Sequence, residues 1–102
     1  MTPEVAAKLA SSDILMVTEA REYCLFTRGE CMALVQVAGG RFQGIGSTGM
    51  MTEGGLSYLV WRDSKAWLAS HGSRVEALPE QVAAIRKFSE DLKVSLGLEN
   101  DK

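Results

Sequence analysis

Two segments of the chain have the pattern of β-hairpins, and they restrict its fold more than any other feature does. The stretch YCLFTRGECMALVQV holds two apolar segments joined at Arg28-Gly29, where glycine can adopt the positive φ of a tight turn. The stretch LSYLVWRDSKAWLAS repeats this arrangement around Asp63-Ser64, whose short polar side chains favour turns. The predicted strands of an antiparallel sheet are therefore residues 23–27, 31–37, 56–61 and 65–69.

Helical patterns precede and follow the hairpins. Thr2, Pro3 and Glu4 combine a hydroxyl cap, a proline in the first turn and an acid near the positive helix end, which predicts a short helix to about Ser11. Residues 79–96 place apolar side chains every three or four positions, and Gly97 can end this second helix. The apolar run at 14–18 fits a first strand, although periodicity alone does not distinguish it from a buried helix end.

These elements predict one α+β domain over residues 1–97, followed by a frayed tail at 98–102. Its antiparallel sheet is predicted to have about four to five strands built from the two hairpins, with the longer C-terminal amphipathic helix packed on one face. The segment RFQGIGSTGMM, residues 41–51, fits either a loop or an additional strand. The second face of the sheet is then left without a covering helix.

The charge of the chain argues against nucleic acid as a partner. Its 11 Lys and Arg residues nearly balance its 13 Asp and Glu residues, the net charge is -2, and both signs are scattered along the sequence. A phosphate-binding surface needs clustered basic side chains, which the sequence does not show.

The apolar runs of the chain are too short to cross a bilayer. The longest, at 14–17 and 31–35, are far below the roughly 20 residues that are needed. Glu4 and Lys8 interrupt the N-terminal stretch, which argues against a secretory signal. We therefore expect a cytoplasmic protein without membrane association.

Two cysteines, Cys24 and Cys31, are too few for a disulfide framework and lack zinc-ligand spacing. They flank the first hairpin turn, so a two-residue connection places them on one face of the sheet and a three-residue connection on opposite faces. In either case we expect reduced thiols, and we predict no metal and no cofactor.

Seven of the ten glycines fall within residues 39–55, GGRFQGIGSTGMMTEGG. Three of them spell G-x-G-x-x-G, the dinucleotide-binding pattern, in which the glycines lie between a strand and a helix. Only residues 50–53 separate this pattern from the next glycine pair, whereas a parallel crossover needs roughly 10 to 12 residues. The glycines therefore predict bends, bulges or a close backbone approach. A weaker hypothesis is an anion-binding nest of backbone amides, assisted by Arg41, Ser47 and Thr48.

The second hairpin contains both tryptophans. If its turn has two residues, Val60 lies opposite Trp67 and Trp61 lies opposite Ala66, so the tryptophans point to opposite faces of the sheet. One can seal the core under the C-terminal helix. The other needs a cover on the far face, which could be the N-terminal helix, a ligand or a second subunit.

Apolar surface left over from a small core favours association. Met50 and Met51 can contribute adaptable apolar surface, or can fold back into the core. A homodimer formed through the open sheet face or through an edge strand is the leading structural hypothesis, because two-fold dimers are the commonest soluble assembly.

The pattern as a whole favours a small homodimeric binding module rather than an enzyme. It would hold a small apolar ligand or a protein partner on its sheet face and glycine-rich segment, with no catalytic residue required. The predicted binding residues are Trp61, Trp67, Tyr58, Met50, Met51, Arg41, Ser47 and Thr48.

The alternative is a small enzyme that acts on an anionic substrate. His71, the only histidine, would serve as its acid or base, with Asp63 and Glu53 as further titratable groups and residues 39–55 as the anion site. The setting SHGS is more typical of a solvent-facing turn, and no sequence spacing links these candidates.

Overall fold

The computed structural model describes residues 2–52, 55–70 and 72–98. In the sequence, one helix precedes the strands and one follows them. The strands lie side by side in chain order, and each is antiparallel to its neighbours. The elements are α1 (Pro3–Ser11), β1 (Leu15–Glu19), β2 (Tyr23–Arg28), β3 (Cys31–Ala38), β4 (Arg41–Thr52), β5 (Gly55–Arg62), β6 (Lys65–Ser70), β7 (Ser73–Glu76) and α2 (Pro79–Leu96).

The α+β class and the antiparallel sheet are confirmed, but the predicted strand number of about four to five is wrong. In the described residues the sheet has seven strands: β7 was not predicted, and β4 forms from the segment for which loop and strand were both left open. β7 has only four residues, all of them exposed, so it has no alternation of apolar and polar side chains that would indicate a strand.

β4 is formed by the glycine-rich segment. Its pairing with β3 shifts twice, and Gly46 and Gln43 are the extra residues that β4 accommodates at these bulges. Bulges bend a strand and break its two-residue alternation, which hides the strand in the sequence. Gly39 and Gly40, with φ of 61° and 76°, make the turn that leads into β4.

Both predicted hairpins are present. The first turn is Gly29-Glu30 rather than Arg28-Gly29, because β2 extends through Arg28, which pairs with Cys31. The second turn is the predicted two-residue one: Asp63 and Ser64 have φ of 53° and 66°, the positive values of a type I′ turn. The predicted register is confirmed, since Val60 pairs with Trp67 and Trp61 pairs with Ala66.

The helix boundaries also agree with the sequence. The Thr2 hydroxyl accepts the Val5 amide at 3.2 Å and caps α1. The Gln81 side chain accepts the Leu78 amide at 2.8 Å at the start of α2. Gly97, with φ of 73°, ends α2 in the left-handed conformation, and the Leu98 amide then donates to the Lys93 carbonyl at 2.8 Å.

One core joins the helices to a single face of the sheet. α2 crosses β3 and β4 and packs beside α1. The largest fully buried side chains come from both layers: Phe26, Val35 and Leu68 from the sheet, and Ile85, Phe88 and Leu92 from α2. None of the helices in the described ranges is long and apolar enough to span a membrane.

Candidate functional site

The face of the sheet opposite α2 has no covering layer among the described residues. Side chains alternate between the two faces of a strand, so the neighbours of the core residues point away from the helices. Leu25 lies between buried Cys24 and Phe26, and its cross-strand partner Leu34 lies between buried Ala33 and Val35. We call this surface the open face. Its apolar residues are Leu15, Tyr23, Leu25, Met32, Leu34, Met51, Leu56, Tyr58, Val60 and Trp67.

These residues form an apolar band across the sheet. One row of cross-strand partners runs from Leu15 on β1 to Tyr58 on β5 through Thr27, Met32 and Gly49. Leu15 is 67% exposed and Tyr58 is 40% exposed, whereas Met32 between them is 8% exposed, so the ends of the row are accessible to solvent. Exposed apolar patches of this kind mark association surfaces in soluble proteins.

The two tryptophans lie on opposite faces of the sheet. Trp67 lies on the open face, where the guanidinium of Arg74 stacks 4.9 Å from the centre of its ring. Trp61 shares the helix-covered face but is 55% exposed, so it does not seal the core as one tryptophan was expected to do. The core is closed instead by Phe26 and Phe88, which are fully buried.

The predicted site residues of the glycine-rich segment are dispersed along β4. Met51 and Ser47 face the open side, while Met50 packs against the core and Thr48 lies on that same covered side. The amides of a strand point alternately to its two neighbours, so consecutive amides do not converge on one anion as a nest requires. Arg41, at the first position of β4, belongs to a separate site described next.

A cavity of about 560 Å³ opens between the helices and the sheet, at the end where α1 begins and α2 ends. Such a volume is typical of small-molecule sites. Its apolar walls come from both helices and from β3 and β4. Its charged side chains are Glu19 at the end of β1, Arg21 in the turn that follows, and Arg41 at the start of β4. The lining residues are Thr2, Val5, Glu19, Ala20, Arg21, Cys24, Val37, Gly40, Arg41, Phe42, Leu96, Gly97 and Leu98.

The Cys24 thiol is the most deeply buried polar group of this cavity. Cys24 is 3% exposed, and burial raises the pKa of its thiol, with the Glu19 carboxylate acting in the same direction. Cys31 lies on the same face of the sheet, as the two-residue turn dictates, and burial raises the pKa of its thiol as well. Both cysteines are free and stay protonated at neutral pH, so they serve as small apolar groups.

A second cavity of about 340 Å³ lies beside β7 and the start of α2. Its hydroxyl groups bond mainly to one another. The Thr52 and Ser57 hydroxyls are 3.0 Å apart, and those of Ser70 and Ser73 are 3.3 Å apart. This pairing leaves the cavity with little unmet hydrogen-bonding capacity.

Of the titratable residues of the alternative enzyme hypothesis, only Asp63 lies in the described part of the chain. Asp63 is an exposed turn residue. His71 and Glu53 lie outside the described residues. Across residues 2–52, 55–70 and 72–98, no group of three His, Cys, Asp or Glu side chains could hold a metal ion.

Several residues of the open face and of the cavity between the helix ends were not identified from the sequence. Leu25, Leu34 and Val60 belong to the open face, and a signal for Leu34 exists in the continuous apolar run CMALV, since strands covered on both faces have such runs. Arg21 stands in a charged turn, and nothing local to it indicates a cavity.

The geometry therefore offers two candidate sites, the open face and the cavity between the helix ends. Comparisons with known protein families, with curated proteins and with solved structures find no match to this chain.

Proposed function

We propose that the protein is a small dimeric binding module in which the open face packs against the open face of a second copy. The observation that carries the proposal is the one-sided cover of the sheet: both described helices lie on one face, and the other face presents an apolar band. An apolar sheet face is stable in water when a second layer covers it.

The composition of the open face supports a protein interface. Its central rows carry no charged side chain, and charged side chains stand towards β6 and β7, where Lys65, Arg74 and Glu76 lie. Depletion of charge at the centre with a polar rim is the usual anatomy of an interface. Tyr58 and Trp67 add the aromatic side chains that most often anchor binding.

The size of the open face is also suitable. Seven strands spaced about 4.8 Å apart extend about 30 Å, and five residues along each strand extend about 17 Å. The resulting flat area of about 500 Å² increases when side-chain relief is included, and it approaches the roughly 800 Å² per partner of a standard interface.

The edges of the sheet are less suited to pairing with a second copy. The ladder of β1 is irregular between Met16 and Thr18, which disturbs the line of backbone groups at that edge. β7, at the other edge, has only four residues. Face-to-face packing is therefore favoured over extension of the sheet from copy to copy.

The test uses the two tryptophans as a matched pair, because they stand on one hairpin and point to opposite faces. Trp67→Ser removes an aromatic side chain from the open face, and we expect the dimer to weaken by about 2 kcal/mol, roughly thirtyfold in the dissociation constant. Trp61→Ser makes the same chemical change on the helix-covered side and leaves association unchanged. Sedimentation equilibrium measures both constants.

Circular dichroism establishes that each variant remains folded before association is compared. A wild-type protein that is monomeric up to its solubility limit contradicts the proposal. Loss of association in Trp61→Ser but not in Trp67→Ser contradicts it as well, and would place the interface on the helix side.

A further inference from the structure

The cavity at the helix ends combines an apolar interior with a cationic opening. Val37, Phe42 and Leu98 are partly buried side chains that pack against the core and line its walls. Arg21 and Arg41 line the same cavity from the β1–β2 turn and from the start of β4, and both are exposed. The cavity can therefore bind a ligand that has both an apolar body and a negatively charged group.

The two arginines have charge available for a ligand. Arg21 stands just before β2, and Arg28 is the last residue of that strand. The charge of Arg28 is neutralised by Asp91, whose carboxylate lies 2.9 Å from the Arg28 guanidinium. Neither Arg21 nor Arg41 forms an ion pair with any residue in the described part of the chain. A guanidinium binds a planar carboxylate through two parallel hydrogen bonds, which makes arginine the preferred partner of such groups.

Other charges at the cavity limit the charge of its ligand. Among the described lining residues Glu19 is the one acidic side chain, so with Arg21 and Arg41 these side chains carry a net charge of +1. The positive end of α1 and the negative end of α2 both lie here and largely offset each other. A ligand with a single negative charge fits this balance better than a doubly charged phosphate monoester.

We propose that this cavity binds a small amphipathic monocarboxylate, with its apolar body against Val37, Phe42 and Leu98 and its carboxylate at Arg21 and Arg41. Most of the lining lies on the helix-covered side of the sheet, and Arg41 stands at its margin, where it pairs with Ala38. The variants that test this cavity differ from those that test the open face, so the two proposals can fail separately.

The experiment is a titration of the isotopically labelled protein followed by NMR chemical shifts, with octanoate as the probe. 1-Octanol and octylamine have the same chain with a neutral or cationic head group, and octyl phosphate has a doubly charged one. We expect octanoate to bind at least about tenfold more tightly than 1-octanol, because charge-assisted hydrogen bonds add to the apolar contact. The largest shifts are expected at the amides of Val37, Phe42 and Leu98.

Three variants identify the carboxylate partners. The double variant Arg21→Gln/Arg41→Gln reduces octanoate affinity to that of 1-octanol and leaves 1-octanol binding unchanged. Arg86→Gln, which removes an exposed guanidinium outside the cavity, is the matched control and has no effect. Glu19→Gln removes the repelling charge and tightens octanoate binding about two- to threefold.

The remaining outcomes overturn the proposal. These are absence of octanoate binding, equal affinity for octanoate and 1-octanol, an unchanged affinity in the double variant, or shifts confined to the open face. Tighter binding of octylamine would assign the site to cations through Glu19, and tighter binding of octyl phosphate would assign it to phosphate esters.

Discussion

Arg28 is the residue at which three separate parts of the chain meet. Its Nη1 donates to the Ser12 carbonyl at 3.2 Å and to the Asp91 carboxylate at 2.9 Å. Its guanidinium also lies 5.5 Å from the centre of the Phe88 ring. The contact ties the end of β2 to the end of α1 and to α2. No spacing in the sequence relates residues so far apart, so this junction could not be predicted.

Removing the carboxylate tests how much this junction stabilises the fold. Asp91→Asn leaves Arg28 without its anionic partner, and we expect the free energy of unfolding to fall by about 1–2 kcal/mol at neutral pH, since the Asp91 side chain is 26% exposed and partly screened. Urea denaturation measures the change. Lys87→Gln removes only a 70% exposed partner of the same carboxylate and changes stability by less than about 0.5 kcal/mol.

The ion pair between Arg28 and Asp91 also makes the free energy of unfolding depend on pH. The hydrogen bond from Arg28 holds the pKa of Asp91 below its ordinary value of 3.8, with Lys87 contributing in the same direction. A carboxyl whose pKa is lowered by folding contributes stability that is complete above its unfolded pKa and is lost as the pH falls through its folded pKa. The difference between wild type and Asp91→Asn should therefore narrow below about pH 4. A difference that stays constant into strong acid would show that the charge of Asp91 does not stabilise the junction.

At the scale of elements, β4 depends on glycine at one position for a steric reason. A Cβ at Gly49 would lie against the main-chain oxygen of Ser57 and 2.9 Å from the Cα of Tyr58. Ser57 and Tyr58 belong to β5, which pairs with β4 at this point. Gly44, in the same strand, has open space where a Cβ would be placed.

This contrast gives a matched pair of substitutions. Gly49→Ala forces the β5 backbone to move, and we expect a loss of about 3 kcal/mol in the free energy of unfolding, the upper part of the range for overpacking. Gly44→Ala meets no atom and should change stability by less than about 1 kcal/mol. Thermal and urea denaturation of the two variants check this. Equal losses would mean that strand propensity, not the approach of β5, determines the effect.

Helices, strands and turns that are marked by residues near one another in the sequence could be predicted. Those that lack such local markers could not. The caps of α1 and α2 and the turn Asp63-Ser64 depend on side chains within a few residues, so the sequence was sufficient to locate them. β4 could not be distinguished from a loop because its bulges break the alternation, and β7 was missed because it is short and mostly polar. The predicted binding residues of β4 lie on both faces because Ser47 and Thr48, like Met50 and Met51, are consecutive, and consecutive residues of a strand point to opposite faces.

For the whole molecule, the one-sided cover of the sheet links stability to concentration. If folded chains associate through the open face, dilution shifts the equilibrium towards monomers and lowers the melting temperature by mass action. We expect the melting temperature of the wild type to rise with protein concentration. Leu34→Lys, which places a charge in the middle of the open face, should abolish this dependence.

Val94→Lys is the matched control for the concentration series. Val94 is a 51% exposed apolar residue of α2, on the helix side of the molecule, so its replacement should leave the concentration dependence intact. A melting temperature of the wild type that does not change with protein concentration would contradict the proposed dimer.

The chain order of the strands also has a consequence for folding. Because each strand pairs with its predecessor, the sheet is built from contacts between residues that are close in the sequence, and such contacts form early. The contacts that bring α2 onto the sheet span much longer loops, as the sequence separation of 63 between Arg28 and Asp91 shows. The sheet can therefore form before the helix that covers it. During that interval both of its faces are exposed to neighbouring chains, and the rate at which α2 docks limits the time available for aggregation.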